Sequence, residues 1–290
     1  VKLRLLAPAK INLTLEVIRR RDDGYHDIRS LLQTLALHDV ITISPSDDLD
    51  VRYEGLHIGP AENDLVRRAA QLLRREAGNQ GLGASIELEK NIPVAAGLGG
   101  GSSDAAATLR GLNRFWDLGL NNSRLSQIGA ALGSDVPFFL TGGTAVISGR
   151  GDEVEPLPDM APLTIVIALA GDQLPRKTAR MYGALRPEHF TSGKHTGRLL
   201  ERLKAGKPVR DSDIFNVFEF VLSDVMPLAA QLQRECEGIG QPPHLAGAGP
   251  ALFFLPPLKP EIERHLDRDC ATLMTTTSTR PESTSWEELQ

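Results

Sequence analysis

Residues 97–107 read Gly-Leu-Gly-Gly-Gly-Ser-Ser-Asp-Ala-Ala-Ala, four glycines running through two serines into strong helix formers. Glycine loses more backbone freedom on ordering than any other residue, so a glycine cluster at the mouth of a helix needs a compensating contact. The helix start offers one. Its first amides have no intrahelical acceptor and its dipole end is positive, so it holds anions. Glycines let that backbone approach phosphate oxygens, and Ser102 and Ser103 add a cap or hydroxyl donors. The segment therefore calls for a strand, a tight loop and a helix in succession, with an anion at the junction. Two common nucleotide loops do not fit. No lysine follows as in G-x-x-x-x-G-K-[ST], and Ser102 stands where G-x-G-x-x-G needs its third glycine.

The surrounding pattern supplies the frame. Residues 84–90 alternate as a strand leading into the loop. Ile11, Leu13, Leu15 and Val17 alternate with Asn12, Thr14 and Glu16, so that strand has one apolar and one polar face, and Lys10 joins the polar one. Asp23-Gly24 is a turn, and residues 39–44 form another strand. Asn63 reads as the N-cap of a helix whose stripe is Leu65, Ala69, Leu72 and Leu73. After the loop, Ala105, Leu109, Leu112 and Trp116 recur at helical spacing. A further helix over 123–132 ends at Gly133. The apolar runs 137–140 and 143–148 read as strands about a Gly142-Gly143 turn. Three prolines in 155–163 then separate a second half. It holds a strand at 164–170, helices at 178–186, 195–205, 213–224 and 227–237, a glycine turn into an apolar strand, and a last helix at 260–269. The polar tail from 275 is expected to fray. The fold class is α+β in two lobes, residues 1–155 and 156–290.

Composition limits the partners. A net charge of −5 over 290 residues gives no global basic field for nucleic acid or an anionic membrane, so an anionic ligand needs a local basic pocket. Two cysteines, Cys236 and Cys270, make no disulfide framework and lack metal-ligand spacing, as do the histidines. No apolar run approaches the ~18 residues of a membrane span, and the first residues carry no leader pattern. The expectation is a cytoplasmic protein without a metal site of its own.

Pro93 through Ala107 resembles the phosphate-binding motif P-x-x-x-G-L-G-S-S-A-A of the galactokinase, homoserine kinase, mevalonate kinase and phosphomevalonate kinase superfamily. Its triple glycine is similar to the branch that phosphorylates a cytidine diphosphate-linked methylerythritol in non-mevalonate isoprenoid synthesis. Residues 8–15, 20–26, 132–145 and 246–255 match further motifs in the expected order. The resemblance implies a ribosomal protein S5 domain 2-like N-terminal lobe, a ferredoxin-like C-terminal lobe and a site in the cleft between them. It implies ATP and Mg²⁺ as cofactors, a small-molecule acceptor, and a monomer or weak homodimer.

Residue roles follow from the resemblance. Lys10 and Asp135 are the catalytic pair, although each alone also reads as a solvated strand lysine and a turn-capping aspartate. Pro93, Val94, Ala95, Ala96, Gly97, Leu98, Gly99, Gly100, Gly101, Ser102 and Ser103 wrap the triphosphate. Asn63 and Lys90 lie near adenine and ribose. Asn12, Tyr25, His26, Thr178 and Tyr182 meet the acceptor, the rings of Tyr25 and Tyr182 stacking on cytosine. Three departures stand out. Ala246 and Ala248 replace the two serines of the third motif. Residues 216–221 replace asparagine-x-leucine-glutamate. Arg176 and Lys177 replace a valine-serine or valine-proline lead into Thr178, and are placed to meet the substrate diphosphate. Two alternatives remain: a related kinase acting on mevalonate or homoserine, and a non-catalytic nucleotide-binding protein of the same fold.

Overall fold

A computed structural model describes residues 1–55, 64–172 and 174–289. A long hairpin organises the fold: β1 (Lys2–Arg20) and β2 (His26–Ser44) pair antiparallel across the turn at Gly24. Then come β3 (Leu49–Gly55), α1 (Leu65–Glu76), β4 (Ala84–Lys90), α2 (Gly100–Phe115), α3 (Asn122–Ala130), α4 (Val136–Thr141), β5 (Thr144–Ser148) and β6 (Glu153–Pro156). The second half runs β7 (Thr164–Leu169), α5 (Lys177–Ala184), α6 (Lys194–Lys204), β8 (Phe215–Asn216), α7 (Leu222–Val225), α8 (Pro227–Gly238), β9 (His244–Leu245), β10 (Ala251–Phe254), α9 (Pro260–Asp269), β11 (Ala271–Thr276), α10 (Arg280–Ser283) and β12 (Trp286–Leu289). Among the described residues, one sheet has the order β12-β1-β2-β4-β3, with β5 and β8 joining β2 and β1 and β6 pairing with β5. The other sheet is β11-β7-β10-β9. No helix among the described residues is long and apolar enough to cross a membrane.

A register shift between Pro8 and Lys10 decides which side chains meet the site. Before it, Leu3, Leu5 and Ala7 pack against α2 and α4 through Leu109, Leu112 and Phe138. After it, Ala9, Ile11 and Leu13 pack toward the second sheet through Ile165, Ile167 and Phe253. Across it β1 advances two residues while β2 advances four, from Pro8↔His38 to Lys10↔Thr34, and the odd-numbered side chains of β1 change sides. Lys10 is thereby turned toward the helix side. The expected polar face is real, but Lys10, Asn12, Thr14 and Glu16 are all buried rather than solvated.

Three expectations are corrected. Residues 137–140 form α4, not a strand. Pro137 sits in its first turn, Phe138, Phe139 and Leu140 are buried, and Arg110 donates to the Phe139 carbonyl at 2.7 Å. A short apolar run does not distinguish buried helix from buried strand. The helix expected over 213–224 is broken: Phe215 and Asn216 pair with β1, and only Leu222–Val225 is α-helical. The tail does not fray throughout, because β12 pairs with β1 in register Lys2↔Leu289 to Leu5↔Trp286.

Candidate active site

A cleft of about 410 Å³ runs from β3 and α1, past the glycine loop, to α5. Pro93 to Ser102 line it; Ser103 does not, being buried behind the loop. Gly99 caps α2 in the left-handed region, at φ 77°. The Ser103 amide donates to the Gly99 carbonyl at 3.0 Å, the first bond of the helix. The amides of Gly100, Gly101 and Ser102 therefore stand at the helix mouth with no intrahelical acceptor. Gly97, at φ 92°, admits no side chain, because a Cβ there would run into the Ala246 carbonyl oxygen.

Lys10 is tied to this loop twice. Its backbone amide donates to the Leu98 carbonyl at 2.9 Å, and a Cβ on Gly99 would lie 3.0 Å from its Cγ. Its ammonium donates to Asn12 Oδ1 at 2.7 Å, and Asn12 Nδ2 donates to Ser30 Oγ at 2.8 Å. Burial pulls the Lys10 ammonium below its ordinary value, and the charge of Asp135 partly offsets that. Asp135 is the residue before α4, yet its carboxylate makes no capping bond to that helix. It lines the cleft with Lys10. The same charge reaches Tyr182, whose phenol is pushed up by burial first and Asp135 second.

At the nucleotide end, Lys90 is buried and donates to Asp39 and, at 2.8 Å, to Asp104 in the first turns of α2. Burial alone would lower its ammonium, but Asp104 and Asp39 outweigh that and hold it up. Asp39 also accepts the amides of Asn91 and Ile92, at 2.6 and 2.8 Å. The two ends of the glycine loop are thus joined through one ion triad, whose partners lie too far apart in sequence to be paired by reading it. Asn63 lies outside the described residues; Asp64 caps α1 instead, accepting from Arg67 N at 2.9 Å. Tyr53, Leu65 and Leu88 line this end too; sequence reading gave Leu65 only to the apolar stripe of its helix and gave the other two no role in the site.

At the other end, Thr178 and Tyr182 line the cleft. His26 stacks on Tyr182 with ring centroids 4.9 Å apart, and Phe218 meets the same ring edge-on. Tyr25 is not brought in: it is 57% exposed, its ring beneath the Arg150 guanidinium. The turn between β9 and β10 closes the cleft. Ala246 is buried in the core and Gly247 stands beside Lys10. Asn216 Nδ2 donates to the carbonyls of Leu245 and Gly247, and Glu219 accepts the Leu245 amide at 2.9 Å. Asn216 and Glu219, which sequence reading noted only as a departure, brace this turn.

A glycine helix mouth facing a buried lysine and an aspartate defines a small-molecule kinase of the GHMP class, and residues 64–143 match the model for the GHMP kinases N terminal domain. Among curated relatives, 4-diphosphocytidyl-2-C-methyl-D-erythritol kinase of Dehalococcoides mccartyi is 44% identical over 87% of this chain and 89% of its own. The Bacillus cereus protein of that name is 38% identical over 88% of each chain. A crystal structure of 4-(cytidine 5'-diphospho)-2C-methyl-D-erythritol kinase covers 95% of the chain and 99% of its own at 32% identity, with a TM-score of 0.77. Homoserine kinase from Cytophaga hutchinsonii shares the fold alone, at 17% identity and a TM-score of 0.72. The chain belongs to the 4-diphosphocytidyl-2-C-methyl-D-erythritol kinase family.

Proposed function

We propose that this protein transfers the γ-phosphoryl group of ATP to the 2-hydroxyl of 4-diphosphocytidyl-2-C-methyl-D-erythritol, in the cytoplasm, as a step of non-mevalonate isoprenoid synthesis. The observation that carries the reading is a buried Lys10 that feels the charge of a half-buried Asp135, both lining the cleft bordered by the glycine loop. Phosphoryl transfer needs positioning and charge stabilisation more than covalent work by the protein. The amides at the α2 mouth take the phosphates. Asp135 accepts the hydroxyl proton, the oxygen bonds to the γ-phosphorus, and the bond to the β-phosphate oxygen breaks to release ADP. Lys10, oriented by Asn12, holds Asp135 ionised and faces the oxygens that gain charge. Thr178 and Tyr182 hold the acceptor, with His26 fixing the Tyr182 ring.

Magnesium fits as an ion that arrives on the phosphates. Among the described residues no group of three His, Cys, Asp or Glu side chains could hold a metal. The chain offers the Ser102 hydroxyl and the buried, unpartnered Oδ1 of Asp104 as its ligands. When bound, the ion neutralises phosphate charge. The test is ADP release by the purified chain with ATP and each of three acceptors: the cytidine diphosphate compound, mevalonate and homoserine. Turnover with the first alone is expected. Turnover with another moves the substrate assignment, and turnover with none despite ATP binding makes the protein a binding module.

A further inference from the structure

Lys177 lines the same cleft as Lys10 and Asp135, and the reaction set out above leaves it without a task. It opens α5 directly after Arg176, whose backbone is held in the left-handed region at φ 52° and ψ 34°. A non-glycine residue is strained there, and such strain persists where the surroundings enforce it. The strained step leads straight to a lysine whose ammonium donates to two carbonyl oxygens across the cleft. One belongs to Ala95 in the glycine loop, the other to Gly249 in the turn between β9 and β10. Both partners are neutral, and among the described residues Lys177 forms no ion pair. The charge acting on it is another cation. Burial first and Lys10 second pull its ammonium down to about 7. Ala246 and Ala248 bring no hydroxyl to the turn it touches. Two ammonium groups drawn into one cleft, one of them lacking any anion, make a place prepared for an anion.

We propose that Lys177 is a phosphate-binding residue of the transfer centre: its ammonium exchanges a carbonyl partner for phosphoryl oxygens of the substrates, next to Lys10 and across from the loop amides. This rests on the kinase reading. The oxygens come from one of two sources, the γ-phosphoryl group of ATP or the diphosphate of the acceptor. The titratable groups lining the cleft with Lys177 are Lys10, Tyr53, Asp64, Lys90, Asp104, Asp135 and Tyr182, and the charge among them that reaches it is that of Lys10.

The test compares the full chain with Lys177→Met and Lys177→Arg, each checked for an unchanged thermal midpoint. Calorimetry measures the affinity for a non-hydrolysable ATP analogue, ADP, cytidine diphosphate and cytidine monophosphate. If the γ-phosphoryl group is the partner, Lys177→Met lowers the preference for the ATP analogue over ADP by about tenfold or more, and Lys177→Arg restores part of it. If the acceptor diphosphate is the partner, the preference for cytidine diphosphate over the monophosphate falls instead. A third measurement needs no variant. At about pH 8.5 the ligand phosphates are ionised and the free amine is largely neutral, so binding should take up a proton, read from the buffer dependence of the binding enthalpy. Lys177→Met, where it folds, should abolish that uptake. Unchanged preferences in a folded Lys177→Met chain, or binding without proton uptake by the unaltered chain, overturn the proposal and leave Lys177 a structural strap. Failure of the kinase reading looks different: the unaltered chain then turns over no acceptor, while the ATP-analogue and ADP arm still reads Lys177.

Discussion

The two ends of the cleft are built from different materials. The nucleotide end is backbone amides and buried charge: the mouth of α2, with the Asp39–Lys90–Asp104 triad tying the loop's ends. The acceptor end is side chains, with Tyr182 held between His26 and Phe218. Backbone that binds a ligand is also backbone that holds the fold, so damage at the first end should appear in stability and nucleotide affinity together. Rings can be trimmed singly, so damage at the second end should appear in acceptor binding alone.

Asp135 belongs to neither end and gives the largest effect. Asp135→Asn keeps the shape and removes the proton acceptor, so kcat should fall by roughly 10²–10⁴. Affinity for an ATP analogue, read by calorimetry, should stay within about twofold. A comparable loss of nucleotide affinity would merge the carboxylate with the phosphate site and break the division.

The triad sharpens it. Lys90→Met leaves two buried carboxylates without their cation, and removing one member of a buried pair costs about 3–5 kcal/mol. Urea unfolding should show that loss, with weakened ATP binding in whatever remains folded. Asp104→Asn should cost far less. Burial above all, with Asp39 adding to it against the opposing pull of Lys90, pushes the Asp104 carboxyl well above the ordinary range. An amide there relieves the repulsion between the two carboxylates and leaves Lys90 paired with Asp39. Equal losses in the two variants would show that Lys90 needs both carboxylates.

The same contrast explains what sequence could reveal. The glycine loop was legible because its backbone demands a residue type, and Lys10 because alternation in β1 assigns it a face. That face proved buried, since the shift at Pro8 depends on pairing with β2, which no local pattern records. α4 was misread because burial on all sides erases periodicity. The break at Phe215 and Asn216 was invisible because it serves the distant turn at Leu245 and Gly247. The Asp39–Lys90 pair spans 51 positions, and Tyr53 reaches the cleft only through sheet order. Order and residue type were readable; long-range pairing was not.

At the acceptor end the effects should be smaller and confined. Tyr182→Ala removes the ring that His26 and Phe218 orient. A stacked base is worth about 1–3 kcal/mol, so acceptor KM should rise by roughly tenfold or more while ATP affinity holds. His26 adds a pH signature. Burial first and Arg20 second hold its imidazole below the ordinary 6.5, so the folded chain keeps the ring neutral. Whatever the neutral stack contributes is fully present above 6.5 and is lost as pH falls through the lowered value. Acceptor KM, followed from neutral pH downward, should stay flat to below the ordinary histidine range and then climb. His26→Phe, which cannot charge, should remove the climb.

Tyr25 is the weakest handle. Turn geometry in the β1–β2 hairpin sets its ring outside the cleft, against Arg150, while its neighbour His26 turns inward onto Tyr182. Reaching a bound base would require leaving the Arg150 contact, which at an exposed site is worth about 0.5–1 kcal/mol, less than a full base stack contributes. Either position is thus open on energy, and geometry decides: as the chain stands, Tyr25→Ala should change acceptor KM by less than about twofold. A rise matching that of Tyr182→Ala would mean that the hairpin tip swings over the acceptor on binding. The acceptor end would then be assembled by its ligand, whereas the nucleotide end stands ready before its own arrives.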